Sequence, residues 1–263
     1  MALLGQGVPD FGRAAGDYAA HRQGFPPDFF ERLQALVPLG PGVRALDLGT
    51  GTGLFGRALA QRGCTVEGLD PSAALLAEAA RLDAAAGVDI AYHRARAEET
   101  GLPDGAFDLL TAATCWHWFD RRAAAREARR LLKPDGRLVI AHLDWHSAPG
   151  NVIRVTLDAI ERCVPRREGD AAAGWNTFLF PHWTTDLARA GFPKLEAFAY
   201  TTSLAYSHEA WRGRVRASAR IGASLDAAGV AAFDADLAAA LAAHFPEETL
   251  AVDHRIFCLV ARG

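Results

Sequence analysis

The sequence predicts an α/β fold, in which helices lie on both faces of a mostly parallel sheet. Short apolar runs alternate with amphipathic segments up to about residue 142, as expected for parallel strands that are joined by helices. The first apolar run ends in a glycine-rich turn, and no break in composition marks a second domain. A chain of 263 residues, 50% hydrophobic and 22% charged, is long enough for one large domain, so we expect residues 1–263 to form a single domain.

Each predicted element of the first half follows from this alternation. The strands are apolar runs at residues 43–48, 65–69, 89–93, 107–113 and 137–142. The helices are amphipathic or alanine-rich segments at residues 54–62, 72–86 and 121–132. Pro71 and Ser72 are typical of a helix start, and a Lys-Pro-Asp-Gly turn at 133–136 precedes the fifth strand.

The second half of the chain is less regular. Alanine-rich or amphipathic segments predict helices at 209–221 and 231–243, and an apolar run predicts a final strand at 255–260. The polar stretch at 166–174 predicts a surface loop. We expect residues 1–42 to form an N-terminal cap and residues from about 150 to 246 to form a helical lid with insertions around the site.

Composition and charge argue against several classes of protein. The formal net charge of -3 gives no global electrostatic basis for binding nucleic acid. No run approaches the roughly 18 apolar residues that span a bilayer, and the N-terminus has no signal-peptide pattern. The cysteines form no C-x-x-C pair, which predicts buried small hydrophobes in a reducing compartment and a cytoplasmic protein; they are Cys64, Cys115, Cys163 and Cys258.

The turn after the first strand has the pattern D-x-G-x-G-x-G over residues 47–53. Its glycines let the backbone turn tightly and approach a ligand closely. Residues 51–56 also match the G-x-G-x-x-G fingerprint of dinucleotide-binding proteins, although that match alone is weak. Asp47 favours another ligand, because a carboxylate there would repel a pyrophosphate and attract a group bearing an ammonium and a sulfonium.

Asp70 lies at the predicted end of the second strand, about 20 residues after the loop, where a carboxylate accepts the hydroxyls of an adenosine ribose. The alternative is that Asp70 caps the helix that begins near Pro71 and Ser72.

Taken in order, several segments resemble the class I S-adenosylmethionine-dependent methyltransferases. Within that family they look most like the type 11 small-molecule group, which includes ubiquinone/menaquinone-type and trans-aconitate-type enzymes. The resemblance implies a Rossmann-like, doubly wound sheet of seven strands with a reversed C-terminal hairpin. It also implies S-adenosyl-L-methionine as the cofactor, bound across the ends of strands one, two and four. The segments are ALDLGTGTGLFGRAL, VEGLDPS, RAEETGLPDGAFDLLTAATCWHWFD and RLLKPDGRLVIAH, within residues 43–142.

The same resemblance implies a set of cofactor contacts. Tyr18 and Arg22 match a Y-x-x-x-R pattern that closes over the methionine end, although Gln23 replaces the proline that often follows. The ribose would be held by Asp70 and the sulfonium would lie near Thr114. The other implied contacts are Asp47, Gly49, Thr50 and Gly51 in the glycine loop, and Pro71, Ala97 and Glu98 around the adenine.

The acceptor side of the site is less clearly indicated, because methyl transfer mainly requires positioning and exclusion of water. Residues 115–119 read C-W-H-W-F, and their aromatic rings predict an apolar pocket facing the sulfonium. His117 is the candidate general base for a hydroxyl or amine acceptor. The alternative is that His117 only packs or bonds to backbone.

Three further groups of residues have two interpretations. The pattern His142-x-Asp144-x-His146 suits a metal or a polar pocket lining, and we expect no metal. The segment 211–218 resembles a lid segment of the family, so Arg214, Arg216 or Ser218 is a candidate to face the site. Six arginines are interpreted either as surface charges or as partners for an anionic acceptor: Arg154, Arg166, Arg167, Arg212, Arg214 and Arg216. Trp175 and Trp183 are predicted to be packing residues.

The sequence thus predicts a methyltransferase that acts on a small molecule, by O-methylation of a carboxylate or hydroxyl. N- or C-methylation is an alternative, as are a nicotinamide (NAD)-dependent oxidoreductase and an inactive methyltransferase-like binding protein. The expected partner is a small-molecule acceptor, with neither nucleic acid nor membrane, and the oligomeric state is left open.

Overall fold

The structure is a computed structural model that describes residues 22–165, 180–222 and 224–263. Its strands are β1 (Arg44–Leu48), β2 (Thr65–Leu69), β3 (Ala91–His93), β4 (Phe107–Ala113), β5 (Leu132–Trp145), β6 (Lys194–Ser207) and β7 (Thr249–Arg262). Its helices are α1 (Pro27–Gln34), α2 (Leu54–Ala60), α3 (Ala73–Ala86), α4 (Arg121–Leu131), α5 (Val152–Cys163), α6 (Pro181–Arg189), α7 (His208–Arg216), α8 (Ala219–Gly222) and α9 (Ala227–His244). The predicted loop at 166–174 lies outside the described residues.

The strands form one seven-stranded sheet with the order β3-β2-β1-β4-β5-β7-β6. Strand β1 pairs in parallel with β2 and β4, and β4 pairs in parallel with β5. Strands β6 and β7 run in opposite directions, because Glu196 early in β6 pairs with Arg262 at the end of β7, and Ser203 late in β6 bonds to Asp253 early in β7. The predicted seven-stranded sheet with a reversed C-terminal hairpin is confirmed.

Helices cover both faces of the sheet, as predicted. Successive residues of a strand point to opposite faces. On β5, Leu138 and Ile140 belong to one buried cluster, with side chains of α4 and α6, whereas Val139 belongs to another, with side chains of α1 and α2. On β1, Leu46 belongs to the first of these clusters and its neighbour Ala45 belongs to the second. Burial of each large apolar side chain contributes about 1.5–3 kcal/mol, so both layers stabilise the sheet.

The predicted helix starts have a clear local cause. Ser72 is the N-cap of α3, and its hydroxyl accepts a hydrogen bond from the backbone N–H of Leu75. Asp120 caps α4 in the same way. At the other end of α3, Gly87 has a φ of 67°, a left-handed conformation that terminates helices at little cost when the residue is glycine.

The second half differs from the prediction in its details. Strand β6 was not predicted, although its buried and exposed residues alternate near its C-terminal end, as expected for a strand with one solvated face. The predicted helix at 209–221 is divided into α7 and α8, and the final strand has 14 residues. The prediction that all four cysteines are buried is wrong for Cys163, which is exposed because it is the last residue of α5.

The chain divides into two compact units. Among the described residues, the sheet unit consists of 24–143, 180–200 and 256–263, and the helical unit consists of 22–23, 144–165, 201–222 and 224–255. The predicted organisation as one domain, with a cap at 1–42 and a lid at about 150–246, stays a prediction.

Within the helical unit, α9 packs against α5 and α7. The indole N–H of Trp211 donates to the hydroxyl of Thr156 at 2.9 Å, inside the buried part of this unit. Among the described residues, α9 is also the one helix whose length and apolar composition would allow it to cross a membrane. Its carboxylates are nevertheless paired within the unit, Asp234 with Arg216 and Asp236 with Arg162.

Candidate active site

The glycine loop connects β1 to α2 at the carboxyl end of the strand. Gly49, Gly51 and Gly53 have φ angles of 63°, 57° and 76°, which residues with a side chain rarely adopt. A methyl group on Gly49 would come within 3.0 Å of the side chains of Cys115 and Phe119, whereas one on Gly51 would meet nothing within 4 Å. The loop therefore packs closely on one side and faces open space at Gly51.

Asp47 lies beneath this loop and is 1% exposed. Its Oδ1 accepts a hydrogen bond from the Thr111 hydroxyl at 2.6 Å, and its Oδ2 accepts one from the Thr50 hydroxyl at 2.8 Å. Burial raises the pKa of Asp47 to about 6, against the opposing effect of these hydroxyl groups. The carboxylate thus ties β1 to β4 and to the loop, and its surface is not accessible.

Asp70 connects the end of β2 to the same loop. Its Oδ2 accepts a hydrogen bond from the N–H of Gly51 at 3.0 Å, and its Oδ1 accepts one from the N–H of Ser72 at 2.9 Å. The alternative prediction that Asp70 caps the following helix is wrong, because Ser72 is the N-cap. Burial also raises the pKa of Asp70. Its carboxylate lies next to the open position at Gly51.

Two of the predicted adenine contacts lie in the segment after β3, and the third, Pro71, follows β2. Ala97 is buried, and Glu98 accepts a hydrogen bond from the backbone N–H of Asp120 at 2.8 Å. Glu98 also pairs with the exposed Arg96 at 3.3 Å, and Pro71 is exposed. Glu98 therefore fastens this segment to the start of α4.

Thr114 follows β4 with a φ of 59°, and no other described residue except glycine has a positive φ. This conformation costs on the order of 1–3 kcal/mol in a residue with a side chain and is typical of functional sites. The Thr114 N–H donates to the carbonyl of Ala141 at 2.8 Å, and the next residue, Cys115, donates from its thiol to the carbonyl of Leu48. The turn after β4 is therefore held against both β5 and the end of β1.

His117 lies in a short 3₁₀ turn, Trp116–Trp118. Its Nδ1 is 3.3 Å from Nε2 of His142, a buried residue of β5, so one imidazole donates to the other. His142 also contacts the ring of Phe180, which stacks on Trp183 with centroids 3.9 Å apart. The structure brings His117 to an aromatic environment within the sheet unit, and Trp183 is a packing residue as predicted.

Residues of the pattern His142-x-Asp144-x-His146 have other contacts in the structure, and the absence of a metal stays a prediction. Within the part of the chain that the structure describes, no three His, Cys, Asp or Glu side chains are grouped so that they could hold a metal ion. His142 bonds to His117, and Asp144 faces Arg255 at 3.9 Å.

The arginine candidates differ in their surroundings. Arg154 pairs with Asp158 on its own helix, as expected for a surface charge. Arg22 is within electrostatic reach of Asp144, and the Ser218 hydroxyl is buried without a hydrogen bond among the described residues. Tyr18, Arg166, Arg167 and Trp175 lie outside the described residues.

A buried network behind the glycine loop was not predicted. Arg57 donates to Asp83 at 2.7 Å and to the carbonyl of Thr52 at 2.9 Å, and the hydroxyl of Tyr92 donates to the other oxygen of Asp83 at 2.7 Å. The one sequence signal is an aspartate within an otherwise alanine-rich helix. The network holds the loop at Thr52, whose carbonyl accepts the hydrogen bond from Arg57.

Comparison with known proteins gives the family. Residues 46–140 match the type 11 family described as methyltransferase domain. The uncharacterized methyltransferase Rv3342 of Mycobacterium tuberculosis is 33% identical over 192 residues, 67% of this chain and 74% of that protein. The malonyl-acyl-carrier-protein O-methyltransferase of Enterobacter lignolyticus is 36% identical over 140 residues, 53% of this chain and 54% of that protein.

A solved type II methyltransferase from Anaeromyxobacter dehalogenans has a TM-score of 0.64 and 26% identity, over 92% of this chain and 97% of that one. The matched residues contain the glycine loop, Asp70 and Thr114, so the alternative of a nicotinamide-dependent oxidoreductase is wrong. The chain belongs to the class I S-adenosylmethionine-dependent methyltransferases of the type 11 group.

Proposed function

We propose that the chain binds S-adenosyl-L-methionine along the carboxyl ends of β1, β2 and β4 and methylates an oxygen of a small carboxylic acid or hydroxyl compound. The observation that carries the proposal is the junction of Gly51 and Asp70, where open space adjoins a carboxylate. The space that a Cβ would fill at Gly51 suits the close approach of a ligand to backbone. S-adenosyl-L-methionine, when bound, supplies a methyl group that its sulfonium has already activated.

The residues of the chain would divide the work between holding and orienting. The N–H groups of the glycine loop and the carboxylate of Asp70 would bind the cofactor. Asp70 would accept hydrogen bonds from the hydroxyls of its ribose. Asp47 would act indirectly, by holding the loop in place, since its oxygens already accept hydrogen bonds from the hydroxyls of Thr50 and Thr111. Ala97 and Glu98 flank the adenine, and Thr114 lies toward the reacting end. Arg22 and Tyr18 remain proposed contacts for the methionine end.

Two observations support oxygen as the acceptor atom, namely the activity of one relative and the position of His117. The malonyl-acyl-carrier-protein enzyme named above is an O-methyltransferase, and carboxylate oxygens need no base, whereas hydroxyl oxygens do. His117, held by His142, is the proposed base for a hydroxyl. The proposed setting is the cytoplasm, without nucleic acid or membrane.

The cofactor assignment predicts a specific role for Asp70. Replacing Asp70 with Ala should weaken S-adenosylhomocysteine binding by about 1.5–3 kcal/mol, the size of a hydrogen bond to a charged group. The wild type should prefer S-adenosylhomocysteine to its 2′-deoxy analogue, and Asp70→Ala should lose that preference, as measured by calorimetry. Loss of loop structure alone would weaken both ligands equally.

The control is Asp89→Asn, which alters an exposed carboxylate of the same unit and should bind both ligands like the wild type. Unchanged discrimination between the two ligands in Asp70→Ala would refute the ribose assignment.

The acceptor class is tested by transfer of a labelled methyl group to a pool of small metabolites, with mass spectrometry of the product. A methyl ester releases methanol in base, whereas a methyl ether does not, so the product distinguishes a carboxylate from a hydroxyl. Methylated nitrogen or carbon would contradict O-methylation. Methylated RNA or protein without a small product would contradict the substrate class, and cofactor binding without any transfer would support the inactive alternative.

A further inference from the structure

Arg214 differs from the other arginines of α7. Arg212 lies 3.3 Å and Arg216 2.6 Å from a carboxylate oxygen of Asp234, and both also pair with Glu209. Arg214, among the residues that the structure describes, has no carboxylate within the 4.0 Å of an ion pair. Its charge is therefore not neutralised by a close partner within the described part of the chain.

The guanidinium of Arg214 is largely desolvated, but the side chain keeps part of its surface accessible. Its guanidinium carbon is 5.5 Å from the ring centroid of Trp145, which packs against the fully buried Trp211. Burial lowers the pKa of Arg214, and the charges of Tyr206 and Asp144 oppose that effect. Arg214 and Trp145 nevertheless both keep part of their surface accessible. A largely desolvated guanidinium that keeps part of its surface accessible thus lies beside an indole within the helical unit.

The charges around Arg214 favour an anion. Asp144 is a carboxylate that acts on the charge of Arg214, and its Oδ2 is 3.9 Å from Arg255. Burial raises the pKa of Asp144 to about 6, and the charges of Arg255, Arg214 and Arg22 oppose that rise. One carboxylate thus lies in the field of three guanidinium groups. Because a desolvated charge without a close partner is costly, a bound carboxylate would stabilise Arg214.

We infer that Arg214 and Trp145 form a binding site for a small apolar carboxylic acid. The planar guanidinium would pair with both carboxylate oxygens, and the indole would contact the apolar body of the acid. The site lies within the helical unit and goes beyond the proposed function, because the binding of the acid does not depend on methyl transfer.

The test uses phenylacetate and its uncharged analogue phenylacetamide as probes, without cofactor. The indole N–H of Trp145 is followed in spectra of protein labelled with ¹⁵N-tryptophan and is assigned with Trp145→Phe. Phenylacetate should shift this resonance with a Kd about tenfold or more below that of phenylacetamide, as expected for a charge-assisted pair. Arg214→Gln should abolish the preference, and Arg214→Lys should retain part of it.

Arg212→Gln is the matched control, since it removes a neighbouring arginine that is already paired, and it should keep the preference. Equal affinity of the wild type for the two probes overturns the inference, and that comparison needs no variant. A preference that survives Arg214→Gln, at an unchanged melting temperature, also overturns it.

A parallel titration with S-adenosylhomocysteine separates this inference from the proposed function. Unchanged cofactor affinity in Arg214→Gln, with loss of the phenylacetate preference, supports an acid-binding site that is separate from the cofactor site. Weakened cofactor affinity with the preference intact assigns Arg214 to the cofactor and overturns the inference. Failure of the wild type to bind S-adenosylhomocysteine would refute the proposed function while the phenylacetate result still stands.

Discussion

Asp47 shows how a buried residue links the site to the stability of the fold. Its pKa is raised from 3.8 to about 6 in the folded chain, so the folded state holds its proton more tightly than the unfolded state between these values. Stability due to this group is therefore highest below pH 4 and falls as the pH rises toward 6. The loss is on the order of 3 kcal/mol, at 1.36 kcal/mol for each unit of pKa.

The measurement compares unfolding free energies of the wild type and Asp47→Asn from pH 4 to 7, so that the titration of all other groups cancels. The wild type should lose stability relative to the variant by roughly this amount as the pH rises. A difference between the two proteins that does not change with pH would contradict the raised pKa.

His117 permits a prediction that depends on the acceptor. If the acceptor found in the labelling screen is a hydroxyl compound, His117→Ala should lower kcat by about 10²–10⁴-fold, the range of general-base catalysis. If it is a carboxylate, the loss should be modest and without a new pH dependence. His182→Ala, which changes an exposed histidine of α6, is the control. A large loss with a carboxylate acceptor would show that His117 does something other than accept a proton.

At the scale of elements, two glycines of the same loop differ in their surroundings, so that an added methyl group should disturb packing at Gly49 and ligand binding at Gly51. Gly49 and Gly51 have similar φ angles, so alanine at either position is strained by a similar amount. Only at Gly49 would the added methyl also press on Cys115 and Phe119. Gly49→Ala should therefore destabilise the chain by about 1–3 kcal/mol more than Gly51→Ala, the usual cost of overpacking.

The same pair of variants tests where the cofactor lies. In Gly51→Ala the methyl group enters open space next to Asp70, and we expect S-adenosylhomocysteine affinity to fall by about tenfold, while stability falls only by the cost of a left-handed alanine, about 1–2 kcal/mol. Wild-type affinity in this variant, measured by calorimetry, would be inconsistent with a ligand over Gly51. Gly49→Ala is the control for loop strain.

The elements themselves were predictable where their local signals were strong. Strands β1, β2 and β4 lie within one residue of their predicted bounds, because a largely buried strand that follows a glycine turn is a short, mostly apolar run. Strand β6 was missed because its signal is a weak alternation over a half-exposed face. The division between α7 and α8 was missed because no proline or glycine marks it in the sequence.

At the scale of the whole molecule, the chemistry is expected to need no metal. The described side chains include no group of three metal ligands, and the proposed reaction requires positioning rather than a Lewis acid. Activity should therefore be unchanged in EDTA, as measured by label transfer to the acceptor from the screen. Loss of activity on chelation, restored by zinc or magnesium, would contradict this expectation.

The sequence by itself determined the family and the cofactor loop. The D-x-G-x-G-x-G pattern and the aspartate 23 residues after Asp47 are local signals, readable because each depends on residues close in the chain or on strand ends that a parallel sheet brings together. Only the tertiary structure decided that Asp47 is buried beneath the loop by Thr111, a residue of another strand. It alone also distinguished Arg214 from Arg212 and Arg216, because Asp234, which pairs with the other two arginines, lies on another helix.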